Sequence, residues 1–121
     1  MLIKRLAECP EITAADNTRL RELLHPDRDP ADIRYSLAVA RLEPDTRSKP
    51  HKLAQSEVYY LLRGSGVMHV ADESQPVQAG DAVYIPPGAV QWLDNTGSET
   101  IEFACIVDPP WTPEAEDLVS G

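Results

Sequence analysis

The sequence predicts a single all-β domain spanning residues 1–121, and three observations lead to it. Eleven prolines and six glycines divide the chain into short elements, which favours strands and turns over long helices. About nine segments with strand character are separated by closely spaced turn signals, the pattern of a β-sandwich or closed barrel. A chain of this length also buries roughly two-thirds of its unfolded surface, so one core suffices.

The first half of the chain contains three candidate strands. Residues 2–6 could form a short edge strand. Residues 18–24 fit either a strand or a helical turn that ends before Pro26, and the β-rich surroundings favour the strand. Residues 33–42 (IRYSLAVARL) are the clearest case, because larger side chains alternate with Ser and Ala. The small-residue face leaves room for a pocket or for a close neighbouring sheet.

The second half contains strands joined by glycine turns. Residues 57–62 predict a strand that turns at Gly64–Gly66 and returns antiparallel through residues 67–70 as a hairpin. Further strands are predicted at residues 76–78, 82–85, 90–93 and 100–107. Gly64, Gly80 and Gly88 stand where tight reversals need a positive φ angle or close backbone approach.

The C-terminal tail, residues 108–121, predicts packing followed by a short helix. Trp111 is a lone large aromatic beside prolines, and we expect it to anchor the tail to the barrel. Thr112 and Pro113 have the chemistry of a helix start, with Thr as the cap and Pro in the first turn. The acidic residues 114–117 are expected to be solvated.

The charge balance narrows the classes of partner. Twenty acidic and eleven basic residues give a net charge of −9, and this field repels phosphate backbones, so nucleic acid is an unfavourable partner. No apolar run is long enough to cross a membrane, and the N-terminus lacks the apolar region of a signal peptide. We therefore expect a cytoplasmic protein with no membrane partner.

His51, Glu57 and Gly64 stand at fixed spacing within residues 45–64, and this segment resembles the first motif of the cupin superfamily. That motif reads glycine, five residues, His-x-His, three or four residues, glutamate, six residues and glycine. His51, Glu57 and Gly64 match it with the spacing intact. Asp45 stands at the position of the leading glycine, and Leu53 stands at the position of the second histidine.

Residues 80–95 resemble the second cupin motif, which reads glycine, five residues, Pro-x-Gly, two residues, histidine, three residues and asparagine. Gly80, Pro86, Gly88 and Asn95 match, and Gln91 occupies the histidine position. The resemblance implies a single cupin domain with the jelly-roll fold, also called a double-stranded β-helix barrel, and a pocket inside the barrel.

The resemblance also implies candidate metal ligands. In a metal-binding cupin, two histidines and the glutamate of the first motif join the histidine of the second around one divalent ion. His51, Glu57 and Gln91 are therefore candidate ligands for Fe, Mn, Ni or Zn, with Glu57 also a candidate catalytic proton acceptor. Leu53 is expected in the core. This set is not the two-His-one-carboxylate triad of oxygen-activating iron, so a weaker metal affinity is expected.

Two further side chains are candidates for substrate binding. Tyr59 shares the strand face of Glu57 and would line the pocket. His69 either reaches the pocket or points outward, because Met68 and Val70 form an alternative pair for the core. Both orientations of His69 fit the sequence.

Two functions fit these features. The first is a metal-dependent enzyme, for which the resemblance suggests isomerase, lyase, epimerase or dioxygenase chemistry on a sugar or small acid. The second is a non-catalytic ligand-binding or sensing module that has lost its metal, which the changes at Leu53 and Gln91 favour. In both cases the expected partner is a small molecule. A homodimer through an exposed strand edge is also predicted, because such edges are usually covered.

Overall fold

The computed structural model describes residues 1–119, in which two antiparallel sheets pack around one core. The strands are, in chain order, β1 (Ile12–Thr13), β2 (Arg19–Leu24), β3 (Ser36–Leu42), β4 (His51–Leu53), β5 (Ser56–Arg63), β6 (Ser65–Val70), β7 (Glu73–Gln78), β8 (Ala82–Ile85), β9 (Gln91–Asp94), β10 (Ile101–Asp108) and β11 (Glu116–Leu118). Single turns of 3-10 helix lie at Leu6–Glu8 and Pro113–Ala115. The all-β prediction is confirmed.

The sheets differ in size. The large sheet has the order β1-β2-β3-β10-β5-β8, and the small sheet has the order β11-β4-β9-β6-β7. The inward faces supply the core, and on β10 the alternating residues Ile101, Phe103, Cys105 and Val107 are buried. The small-residue face of β3 also points inward, with Ser36 and Ala40 buried. Within the described chain, no helix is long and apolar enough to cross a membrane.

The predicted hairpin between β5 and β6 is wrong. β5 pairs with β10 and β8, whereas β6 pairs with β7 and β9, so the chain passes from one sheet to the other at Gly64. A Cβ at Gly64 would lie 2.8 Å from the backbone oxygen of Thr100, and one at Gly66 would overlap the backbone oxygen of Asp94. The glycines therefore permit a close crossing between sheets, which short-range turn signals do not distinguish from a hairpin.

Both ends of the chain also differ from expectation. Residues 2–5 are exposed and form no strand, and β1 takes the edge of the large sheet instead. The acidic tail is not simply solvated, because β11 pairs with β4 through the register Glu116 to Leu53 and Leu118 to His51. Glu116 is half-buried and accepts a hydrogen bond of 3.3 Å from Nε1 of Trp111, whereas Asp117 and Leu118 are exposed. The predicted helix start at Thr112 is followed by one 3-10 turn, without a hydrogen bond from the Thr112 side chain.

Candidate functional site

Two buried polar side chains meet between the sheets. Gln91 lies on β9 of the small sheet and is fully buried, and Glu57 lies on β5 of the large sheet and is 6% exposed. The amide nitrogen Nε2 of Gln91 donates a hydrogen bond of 2.8 Å to Oε1 of Glu57. Gln91, at the histidine position of the second motif, is therefore hydrogen-bonded directly to Glu57, the glutamate of the first motif.

His51 lies beside this pair. It is directly opposite Gln91 where β4 and β9 pair, and its side chain is buried. Its Nδ1 is 2.8 Å from the carbonyl oxygen of Lys49. Because a carbonyl oxygen can only accept, Nδ1 carries the proton. In the neutral imidazole, Nε2 is then the atom with a free lone pair.

Asp16 completes the group, and sequence reasoning missed it. Its Oδ2 is 3.5 Å from Nε2 of His51, and the residue is 7% exposed in the turn between β1 and β2. Oδ1 accepts hydrogen bonds from the backbone nitrogen and the hydroxyl of Thr18, at 3.1 and 2.7 Å. The backbone nitrogen of Lys49, two residues before β4, donates a hydrogen bond to the carbonyl oxygen of Asp16 and so holds the turn next to β4. We call Asp16, His51, Glu57 and Gln91 the barrel site.

Burial changes the acidity of Glu57. Desolvation raises the pKa of Glu57 to about 8, against the opposing effect of the hydrogen bond from Gln91, and the charges of Asp16 and Glu116 raise it further. At neutral pH the carboxyl group is therefore mostly protonated. In that form it can donate a proton as well as accept a hydrogen bond.

One acceptor in the barrel site has no protein partner. Oε1 of Gln91 is buried and receives no hydrogen bond from the described residues. The same holds for Oε1 of Gln55, whose Nε2 donates to the carbonyl oxygen of Pro110 at 3.2 Å. Leaving a buried acceptor unpaired costs roughly 1–3 kcal/mol. A bound group that donates a hydrogen bond to Gln91 would remove that cost.

The two predicted substrate-binding residues lie in different places. Tyr59 is on the inward face of β5 with Glu57, and its ring centroid lies 4.5 Å from that of Phe103. His69 lies on the outer face of the small sheet, stacked on Trp92 with ring centroids 4.3 Å apart. Its Nε2 is 2.8 Å from Asp94, and its Nδ1 is 2.7 Å from the Ser74 hydroxyl. The structure therefore brings Tyr59, but not His69, to the barrel site.

The donor atoms do not fit the four-ligand metal centre that the resemblance implies. Leu53 is buried in the core and offers no donor. The amide nitrogen of Gln91 is directed at Glu57, which leaves only its neutral oxygen as a ligand atom. Across residues 1–119, no three His, Cys, Asp or Glu side chains are grouped so that they could hold a metal ion.

The barrel site lies inside the barrel, where a pocket was expected, and each of its four residues is at most 7% exposed. Two surface clefts of about 180 and 250 Å³ lie beside β2 and β3, and neither is lined by a barrel-site residue.

The C-terminal segment 109–119 packs against the barrel, where β11 pairs with β4. The backbone nitrogen of Trp111 donates a hydrogen bond of 3.0 Å to the Ser36 hydroxyl, and its carbonyl oxygen is 2.7 Å from Nε2 of His25. Trp111 therefore holds the tail, as predicted.

Comparison with known proteins gives consistent matches along the chain. The profile of the Cupin domain family matches residues 38–107. An uncharacterized protein of Methanocaldococcus jannaschii is 33% identical over 111 residues, which cover 91% of this chain and 87% of that protein. An oxalate-binding protein of Thermotoga maritima is 32% identical over 71 residues, which cover 58% of this chain and 59% of that protein.

Two solved structures share the fold at low sequence identity. The polyketide cyclase RemF from Streptomyces resistomycificus superposes with a TM-score of 0.83 at 21% identity, covering 100% of this chain and 87% of that one. A predicted oxalate decarboxylase from Thermotoga maritima gives 0.79 at 23% identity, covering 89% of this chain and 99% of that one. At these identities the likeness establishes the fold.

Proposed function

Because this chain belongs to the Cupin domain family, we propose that it binds a small molecule at the barrel site. The observation that carries the proposal is the fully buried Gln91. Its amide nitrogen donates a hydrogen bond to Glu57, and its amide oxygen receives no hydrogen bond from the described residues. Two apolar residues of similar size would fill the same volume without this cost. A bound small molecule gives the polar pair a role that packing does not.

The relatives support a small molecule as the partner. The Thermotoga maritima relative is named for binding oxalate, and it aligns over 58% of this chain. The aligned fold neighbours include a polyketide cyclase. These names support a small molecule as the ligand. The charge of that ligand is inferred from the side chains of the barrel site.

Glu57 is the group that we assign to proton transfer. Its raised pKa, about 8, leaves it protonated at neutral pH, and the hydrogen bond from Gln91 fixes one of its two oxygens. A carboxylic acid held in this way suits a general acid, which gives its proton to an oxygen of the bound molecule. If the protein only binds its ligand, the protonated Glu57 carboxyl group instead donates a hydrogen bond to the bound molecule.

A metal-dependent enzyme is the second candidate, supported by the tautomer of His51. Its Nδ1–H bond to the Lys49 carbonyl leaves Nε2, which lies 3.5 Å from Oδ2 of Asp16, as the ligand atom of the ring, and metal-ligating histidines usually have their other ring nitrogen bonded in this way. Leu53 and the engaged amide of Gln91 weigh against this candidate. Fe, Mn, Ni or Zn would in that case be held by His51, Glu57 and Gln91.

Metal analysis of the purified protein, combined with thermal unfolding, separates the two candidates. We expect less than stoichiometric Fe, Mn, Ni or Zn, and a melting temperature that responds to small organic molecules and not to divalent cations. Stoichiometric metal that disappears in both His51→Ala and Glu57→Ala, and persists in the exposed control Glu73→Ala, would establish the metal-dependent enzyme instead.

We also propose that the protein is a homodimer. The outer face of the large sheet carries the exposed side chains Tyr60, Leu62, Tyr84 and Ile106. Tyr84 and Ile106 flank Val58 from the two neighbouring strands, so they form one apolar row. This uncharged row favours a contact between sheet faces over the strand edge that we first expected. We expect light scattering to give the mass of a dimer for the wild type and for Gln75→Lys, and the mass of a monomer for Leu62→Lys.

A further inference from the structure

We infer that the barrel site takes a small molecule that carries no negative charge and donates hydrogen bonds through hydroxyl, amide or amino groups, and that it rejects dicarboxylates such as oxalate. This inference rests on the proposed function, because it names the chemical class of the ligand for the same site. It departs from the ligand of the oxalate-binding relative, with which this chain shares 32% identity over 71 residues.

The positions of the basic side chains give the first argument. The chain has eleven Lys and Arg residues, and none of them is buried: two, Arg21 and Arg41, are half-buried and the other nine are exposed. Both half-buried arginines face Glu11 outside the barrel, at 3.8 and 2.7 Å. The interior therefore has no permanent positive charge to pair with an anion.

The acidic side chains in the interior give the second argument. Asp16 and Glu57 are buried carboxyl groups, and His51 is the basic group beside them. The site therefore has two carboxyl groups and one imidazole and no guanidinium or ammonium group. A dianion would be buried beside these carboxyl groups without an ammonium or guanidinium counterion, in a region of low dielectric constant.

An unpaired atom gives the third argument. Oε1 of Gln91 is a buried acceptor that receives no hydrogen bond from residues 1–119. A ligand with N–H or O–H groups satisfies this acceptor, whereas a carboxylate ligand has no donor to offer. Charge and hydrogen-bonding therefore select the same chemical class.

Three molecules of nearly identical shape test this inference. Oxalate, oxamate and oxamide differ in carrying two, one and no carboxylates, with amides in their place. We expect affinity to rise in that order, with oxamide at least tenfold tighter than oxalate by calorimetry and by thermal shift. Glycerol and D-xylose serve as larger uncharged probes. Gln91→Leu should abolish the stabilisation by the uncharged probes, while Gln75→Leu, at an exposed position of β7, should not.

A second variant keeps the test decisive if Gln91→Leu does not fold. Asp16→Asn removes one negative charge and should raise the affinity for oxalate at least fivefold relative to the wild type. Oxalate binding that equals or exceeds oxamide binding, and is lost on substitution of Gln91, would overturn this inference and support the proposed function. A lack of stabilisation by every probe would overturn both.

Discussion

Nε2 of Gln91 lies 2.8 Å from Oε1 of Glu57 and donates a hydrogen bond to it across the space between the two sheets. A neutral amide at this position provides the buried carboxyl group with a donor without providing a positive charge. Burial favours the neutral form of the carboxyl group and raises its pKa to about 8, although the hydrogen bond from Gln91 acts in the opposite direction.

The protonation of Glu57 should make stability depend on pH. Its pKa is about 8 in the folded state and close to 4.5 when unperturbed. Between these values the folded state keeps a proton that the unfolded state has released, so raising the pH favours unfolding. We expect this group to lower the free energy of unfolding by roughly 1.4 kcal/mol for each pH unit in that window.

Glu57→Gln isolates this effect, because glutamine keeps an oxygen for the bond from Gln91 and does not titrate. Urea unfolding at several pH values from 5 to 8 should show the wild type losing stability relative to this variant. The exposed control Glu73→Gln should follow the wild type. Parallel curves for the wild type and Glu57→Gln would show that Glu57 is not protonated in the folded state.

The sequence predicted the turns more completely than the site. Gly64, Gly80 and Gly88 were predicted to need a positive φ angle or close backbone approach, and all three have positive φ angles, of 87, 95 and 79°. Local chain chemistry is enough for such positions, because a reversal depends on the residues that form it. The sheet to which β6 belongs was not predictable in this way, because pairing between strands that are distant in the sequence does not depend on the residues of the turn.

The close crossing near Gly66 should be sensitive to a single added methyl group. A Cβ at Gly66 would overlap the backbone oxygen of Asp94, and backbone cannot move as a side chain can. We expect Gly66→Ala to lower the free energy of unfolding by about 3 kcal/mol, as overpacking does. Gly88→Ala is the matched control, because its φ is +79° and nothing lies within 4 Å of the added Cβ. Its cost should be about 1 kcal/mol. Equal costs for the two variants would contradict the crowding at Gly66.

Asp16 shows why the site was only partly predictable. His51, Glu57 and Gln91 were found through two motifs with fixed spacing, and the structure groups them. Asp16 reaches His51 from a turn more than thirty residues earlier in the chain, and its contact depends on how β1 and β2 lie against β4. An acidic residue in a turn is ordinarily solvated, so its local sequence indicated nothing about burial. His69 had two orientations by strand parity, and its pairing opposite Trp92 decided between them.

Restoring the two missing histidines should create a metal site. Leu53 occupies a position at which the first motif has an imidazole, and Gln91 occupies the position at which the second motif has one. Both side chains are buried beside His51 or Glu57. We expect the double variant Leu53→His, Gln91→His to bind one Zn²⁺ or Ni²⁺ per chain by calorimetry, with a rise in melting temperature on adding metal. The single variant Leu53→His should bind more weakly. A double variant that folds and binds no metal would show that the backbone positions of these strands, and not only the side chains, differ from a metal site.

His69 tests whether the outer face of the small sheet contributes to ligand binding. Its ring contacts Asp94, Ser74 and Trp92, all partly or fully exposed, so these contacts stabilise the sheet without reaching the barrel site. We expect His69→Ala to lower the free energy of unfolding by about 1 kcal/mol and to leave the affinity for oxamide within twofold of the wild type. Urea unfolding and calorimetry on the same preparation measure both quantities. A loss of binding with unchanged stability would instead place His69 in the ligand site, which is one of the two orientations that fit the sequence.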